Sequence, residues 1–557
     1  MEPREAAPDA GERVMKWWDY PIFALLTTIN LAAVAYGVNY WFSVVDWSDP
    51  WVFVLISLPI LFVLVMFEMR WFSLLRMRRP RPSRPDPAWK VGVAVCFVPG
   101  AEPITMLERT LSAVVSMDYP HETWVLDEGD DPRVRALCER VGASHFSRKD
   151  RPEYQTERGK YQRRTKHGNF NSWLAEVGLD RYAYIAMFDP DHVPKREFLS
   201  TVLGYFNDPR TGYVQAAQVY YNQPASFIAR GAAEETYDYY SSIQMAGHGT
   251  DFPIVVGCHH THRVTALREV GGVPAHITED LVFAMRYRAA GWKGVYVPQC
   301  LAVGTTPVDW QNYLRQQRRW AEGAIDVQVR VMPKVVRRLP SRARLTAITH
   351  GLYYLRPLGV GFGIALLAYM LVTGDTPAAV AVKSVTKLIP VVLALMLCGF
   401  YRQRFLLFPR SEVGLHLRAS VLAFGKWPYL IPAVFDGLFR RDKKFVITRK
   451  VSKPGRSWAL LATQLLLVSL LVTAWGIGMF RGVVDNPVLH AWTILTVAVS
   501  LAVMATELLM RFPEPYDPEL AQERIAGEIR QWGPSSATSK RSGEERLSKA
   551  PLDTAQR

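Results

Sequence analysis

"RYAYIAMFDPDHVP" (Arg181–Pro194) decides the fold. An apolar run from Tyr184 to Phe188 stops at Asp189-Pro190-Asp191. A short apolar run cut off by Pro and acids reads as a buried strand and its carboxyl end. Two upstream stretches repeat the pattern: "KVGVAVCFVPG" (Lys90–Gly100) ends in Pro-Gly, and "ETWVLDEGDD" (Glu122–Asp131) ends in acids. "MLERTLSAVV" (Met106–Val115) and "PRVRALCERV" (Pro132–Val141) follow them with helical spacing. Alternating strands and helices predict an α/β domain, Rossmann-like, with a mostly parallel sheet. Ligands of such sheets sit beyond the carboxyl ends of the strands, where Asp127, Asp189 and Asp191 fall.

Outward from this core the composition changes. The chain has 557 residues, 49% of them hydrophobic, and a net charge of +15. About 20 apolar residues cross a bilayer, and six segments qualify, at roughly 20–42, 51–72, 350–373, 386–408, 457–480 and 488–510. The first is too long for a signal-peptide core and lacks a small-residue cleavage site. "SVVDWSDP" (Ser43–Pro50) has no Lys or Arg and should face outward, while "RMRRPRPSRP" (Arg76–Pro85) should stay in the cytoplasm. Basic runs beside spans explain the charge, so a nucleic-acid partner is not expected. Arg356, Arg402, Arg404 and Glu507 lie at span edges, snorkelling or facing a polar conduit. Five scattered cysteines give neither a disulfide framework nor a cysteine zinc motif.

The chemistry-bearing residues lie in the middle domain. Asp189 and Asp191, at i and i+2 on a strand end, suit a hard divalent cation, Mg2+ or Mn2+. Such an ion would neutralise a diphosphate leaving group. "TKHGNFNSWL" (Thr165–Leu174) brings Lys166 to a helix start, a place for an anion. In "HITEDLVFAMRYRAAGW" (His276–Trp292) the Glu279-Asp280 pair heads a helix. A general base for a sugar hydroxyl fits there, its basicity raised by the neighbouring acid and by burial. "WQNYLRQQRRWAEGAIDVQV" (Trp310–Val329) carries a stripe of Trp310, Tyr313, Leu314, Gln317, Trp320, Ala321, Ala324 and Ile325. The stripe predicts an amphipathic helix lying on the membrane surface. Arg318 and Arg319 could pair with diphosphate there, and Trp320 offers a flat face to a sugar ring. Each feature also has an ordinary reading: turn acids, a capped helix, carboxylates at a helix start, snorkelling arginines.

Taken in order, Asp127, the D-P-D at 189–191, the T-E-D at 278–280 and the Q-x-x-R-W at Gln316–Trp320 resemble a known series. It is the D, DxD, TED, QxxRW series of processive inverting glycosyltransferases of the cellulose synthase type. "KKFVITRK" (Lys443–Lys450) resembles that family's FxVTxK gating loop, with Phe445, Thr448 and Lys450 at the matching positions. The resemblance implies a GT-A-type domain inserted between α-helical transmembrane segments. It implies a nucleotide-sugar donor, most often UDP-glucose, and a growing polysaccharide acceptor that leaves through the bilayer. On this resemblance Asp127 and Lys166 contact the nucleotide side, and Asp189 and Asp191 handle the Mg2+ or Mn2+ diphosphate. Asp280, beside Glu279, is the base; Gln316 and Arg319 hold diphosphate, and Trp320 stacks on the acceptor. Hyaluronan-like, chitin-like and mixed-linkage products stay open, as does transfer of single sugars to a lipid.

The implied layout has eight parts: a cytosolic lead (1–19), two transmembrane helices (20–72), a GT-A domain (88–308), interfacial helices with Q-x-x-R-W (309–345), two transmembrane helices (346–408), an interfacial helix and gating loop (409–456), two transmembrane helices (457–511) and a disordered cytosolic tail (512–557). The tail is too short for the PilZ domain of many bacterial cellulose synthases, so control by cyclic di-GMP is not expected. An integral protein of a bacterial inner membrane follows, with the catalytic domain and both termini cytoplasmic and an accessory export subunit as a candidate partner. One segment departs from the family. Where relatives carry an FxCGS-type sequence this chain has "VVGCHHTHR" (Val255–Arg263). Gly257 fits, but Cys258, His259, His260 and His262 do not, which leaves them open between satisfied or solvent-facing side chains and a metal site.

Overall fold

The apolar runs become strands of one sheet in a computed structural model that describes residues 11–44, 50–439 and 456–509. The strands are β1 (Val91–Phe97), β2 (Glu122–Asp127), β3 (Ser144–Phe146), β4 (Tyr184–Phe188), β5 (Val193–Pro194), β6 (Thr211–Tyr220), β7 (His260–Arg263) and β8 (Lys293–Gly304). Their order across the sheet is 3-2-1-4-7-6-8-5. β1 runs parallel to β2 and β4, β2 to β3, and β6 to β8. β7 is antiparallel to both of its neighbours, β4 and β6, and β5 is antiparallel to β8.

β1 shows why the sheet is buried on both faces. Val91, Val93, Val95 and Phe97 point into one core, and Ala94 and Cys96 into the other. That is the two-residue alternation of a strand with helices on either side. Phe97 pairs with Asp127 and Val95 with Phe188, so the acids ending β2 and β4 emerge on one edge.

The longer helices are α1 (Asp19–Ser43), α2 (Pro50–Ser73), α3 (Ile104–Val115), α4 (Pro132–Val141), α5 (Lys166–Trp173), α6 (Phe227–Glu234), α7 (Glu279–Ala289), α8 (Trp310–Asp326), α9 (Ser341–Leu352), α10 (Arg356–Thr373), α11 (Val382–Gln403), α12 (Leu417–Phe439), α13 (Trp458–Phe480) and α14 (Pro487–Leu508). α4 has both of its end signals: Asp131 caps the Arg133 N–H, and Gly142 closes the far end at φ 77°. α3 buries Leu107, Leu111 and Val114 against the sheet.

Among the described residues six helices are long and apolar enough to cross a membrane, and this is a membrane protein. The first two and last two lie within a few residues of the expected spans. The third starts earlier, at Ser341, because α9 leads into α10 through a single turn at Tyr353–Leu355. The fourth covers Val382–Gln403, and turns rather than helix follow it to Phe408. Glu12 and Arg13 pair with Arg79 and Arg78 in a short antiparallel ribbon. The chain before α1 and the chain after α2 therefore meet on one side, as an even number of crossings requires. Edge charges find acids and amides: Arg404 meets Asp19 at 2.9 Å, and the buried Glu507 accepts the Ser457 N–H.

One expectation is corrected here. The apolar stripe of α8 does not lie on lipid: Trp310, Tyr313, Leu314, Ala321, Ala324 and Ile325 are buried in protein, chiefly against α12. Periodicity marks a covered face without saying what covers it. The expected gating-loop residues Phe445, Thr448 and Lys450 and the tail 512–557 lie outside the described residues.

Leu111→Ala, deep in the core under α3, should cost about 2–5 kcal/mol of stability. A lower thermal midpoint of the purified protein is the expected readout; an unchanged midpoint would contradict this packing.

Candidate active site

The strand-end acids meet a cation. Asp189 Oδ1 lies 2.6 Å from Lys166 Nζ, and the same ammonium donates to the Gly257 carbonyl. Burial disfavours the Lys166 charge, but Asp189 and Glu279 outweigh it and hold the pKa above its ordinary value. Lys166 stands at the first turn of α5, where Thr165 caps the Gly168 N–H. The loop before it is built on Arg148, fully buried, which grips Glu128 through Nε at 2.9 Å and Nη2 at 2.8 Å. Arg148 also donates to the carbonyls of Tyr154, Tyr161 and Gln162. The two asparagines of this segment are structural: Asn169 donates to the Leu126 carbonyl and Asn171 to that of Val273.

Asp191 is held on both oxygens, by the Thr305 hydroxyl and by His192 Nδ1 at 3.0 Å. Asp189, Asp191 and His192 each offer a ligand atom within 4.8 Å of the others. Two carboxylates and an imidazole at a strand edge fit a hard divalent ion. Asp127 is fully buried, with its carboxylate accepting the Gly129 and Asp131 N–H groups and lying 3.2 Å from His145 Nε2. It shapes the loop after β2.

Glu279 and Asp280 open α7, as expected. Asp280 Oδ1 accepts the Leu281 N–H at 2.8 Å. Burial first, then the adjacent Glu279 charge, pushes Asp280 up to about 6, with Arg319 and Lys166 pulling the other way. The T-E-D turn is fastened to α8. Thr278 packs over Gly323 so closely that a Cβ there would overlap its side chain. His276 Nε2 meets Asp326 Oδ2 at 2.8 Å, and His276 Nδ1 meets the Thr278 hydroxyl at 3.0 Å. Gln316, Arg319, Trp320 and Gly323 share one face of α8 by their spacing. Arg319 Nε is buried with no hydrogen-bond partner among the described residues. Arg318 is different: it pairs with the buried Asp436 at 2.8 Å.

Sequence reasoning missed several groups here. The phenol of Tyr239 is raised first by burial and then by the charge of Asp280 near it. It sits in a tyrosine pair with no motif spacing. The histidines of the unusual segment are buried, not solvent-facing. His260 Nδ1 meets His262 Nε2 at 2.6 Å, and His262 Nδ1 meets the Tyr287 hydroxyl at 2.8 Å. Cys258 Sγ lies 3.2 Å from His192 Nε2, a neighbour far away in sequence.

A model described as "Glycosyl transferase family group 2" matches residues 184–401, from β4 through the T-E-D and Q-x-x-R-W segments. A cellulose synthase catalytic subunit (UDP-forming) of Pseudomonas fluorescens is 26% identical over 418 residues, 72% of this chain and 53% of that protein. A probable glucomannan 4-beta-mannosyltransferase of Oryza sativa is 28% identical over 229 residues, 39% of this chain and 40% of that one. The chain thus spans about half the length, or less, of these curated relatives. A solved mannosyltransferase of Pyrobaculum calidifontis, in complex with GDP-mannose and Mn2+, is 17% identical with a TM-score of 0.48, covering 70% of this chain and 100% of that one. Residues 184–401 thus carry the pattern of family 2 glycosyltransferases on an α/β sheet of GT-A type set among apolar helices, and the chain is similar to cellulose synthase catalytic subunits.

Gly323→Ala should push Thr278 away and cut turnover at least about tenfold at unchanged helix content. Far-UV circular dichroism beside initial rates would check it. A base works deprotonated, so activity carried by Asp280 is present above its pKa and lost as pH falls through about 6. A rate profile with its acid limb near pH 4 would contradict the raised value.

Proposed function

We propose that this protein is a processive, inverting, membrane-embedded glycosyltransferase. It polymerises sugar from a nucleotide-sugar donor, UDP-glucose into a β-glucan by preference, and passes the product across the bilayer. The observation that carries it is the meeting of Lys166, Asp189, Asp280 and Arg319 at one sheet edge beside six apolar helices.

In this reading the acceptor hydroxyl gives its proton to Asp280 while its oxygen bonds to the anomeric carbon. The bond from that carbon to the nucleoside diphosphate breaks, and a single displacement inverts the centre. Lys166 and Arg319 receive the developing diphosphate charge, with Gln316 beside them. Asp189 and Asp191 would hold Mg2+ or Mn2+, an ion that supplies Lewis-acid neutralisation of the diphosphate. Asp127 supports the nucleotide side by shaping the loop after β2. Trp320 gives the acceptor terminus a flat face. The catalytic domain and both termini lie in the cytoplasm. The name of the rice relative keeps mannose open as a second sugar.

The test offers labelled UDP-glucose, UDP-GlcNAc and GDP-mannose to membranes holding the protein, then digests the product with linkage-specific hydrolases. A β-glucanase-sensitive polymer from UDP-glucose is the expected result. A lipid-linked monosaccharide as sole product would overturn processive synthesis. Asp280→Asn should lower turnover by on the order of 10²–10⁴, and full activity in that variant would remove the base assignment.

A further inference from the structure

A buried cation sits where α12 meets the helix that carries Arg319 and Trp320. Lys426 of α12 is 3% exposed. Its ammonium donates to Glu235 at 2.8 and 2.9 Å and to Gln317 Oε1 at 2.9 Å. The Tyr313 hydroxyl donates to the same Glu235 at 2.6 Å, and the ammonium lies 5.5 Å from the Tyr313 ring centre. Tyr313 and Gln317 are one turn apart on α8, so one ammonium and one carboxylate grip two successive turns. Burying a lysine costs heavily unless it is paired and hydrogen-bonded, and here both conditions are met.

A second grip lies further along α12, where Asp436, 4% exposed, takes Arg318 at 2.8 Å. Each gripping residue stands beside a glycine. A Cβ on Gly425 would run into the Trp310 ring, and one on Gly437 into the Glu322 carbonyl and Ile325. The glycines let the helix backbones approach closely, and the charges fix where along each other they stop. Arg330 then donates to the Gly437 and Leu438 carbonyls, tying off the end of α12. Gln317 and Arg318 are held immediately before Arg319 and Trp320.

We propose that Lys426, with Glu235, is a positioning residue that sets the register of α8, so that Arg319 meets the donor diphosphate beside Asp280. The inference rests on the glycosyltransferase reading only for what Arg319 binds; the clamp itself does not need it. Lys426 touches no reacting atom, and neither does Glu235. Arg318 and Asp436 add the second point that stops α8 from rotating.

The experiment uses the full-length protein in detergent. Hydrogen exchange across residues 310–326 should speed up in Lys426→Met and return to the wild-type rate in Lys426→Arg. Affinity for UDP with Mn2+ should fall about tenfold in Lys426→Met, stay within about twofold in Lys426→Arg, and stay unchanged for UMP. A loss confined to the diphosphate marks positioning of Arg319, because general destabilisation would weaken UDP and UMP alike. Equal weakening of both nucleotides, or unchanged exchange over 310–326, would overturn the proposal. If Lys426→Met does not fold, Glu235→Gln gives the same readouts. Faster exchange in a protein whose wild type binds no UDP would sink the donor reading and leave the clamp standing.

Discussion

The close approach of Gly323 to Thr278 holds the two halves of the site together. One half is the sheet edge, with Lys166 and Asp189. The other is α8, which packs against α12 and carries Arg319 and Trp320. The T-E-D turn lies between them, and only a residue without a side chain lets that turn settle on α8. His276 and Asp326 fasten the same contact from the far end. Move α8 outward, and Asp280 loses its arginine while the sheet keeps its acids.

This placement has electrostatic consequences. Asp280 keeps Glu279 as a neighbour, and partial burial raises its basicity. Arg319 and Lys166 counter that charge, so the acid is tuned rather than neutralised. The same logic recurs at Asp191, where Thr305 and His192 each take an oxygen and fix the carboxylate's direction. Catalysis by positioned charge needs that rigidity, because a group aimed beforehand does not reorganise during the reaction.

Much of the fold was legible in the sequence. β1, β2 and β4 announced themselves because each is a buried run ended by Pro, Gly or acids, and α4 carried both of its end signals. Spans were legible because length and apolarity are local properties. What failed was partnership. The stripe on α8 gave a covered face, but α12 covers it, not lipid. Arg318 and Arg319 look equivalent in sequence, yet one residue of rotation sends the first to Asp436 and leaves the second at the site. Cys258 and His192 lie far apart along the chain, so no spacing rule could pair them. Motif spacing named the candidate residues, and their surroundings were not legible in it.

The most direct measurement is an experimental structure of the protein with UDP and Mn2+ bound. The account predicts a diphosphate lying between Asp189 and Arg319, with the Asp280 carboxylate open on the side away from the nucleotide. A nucleotide bound elsewhere, or Arg319 and Asp280 opening into different cavities around it, would contradict the account.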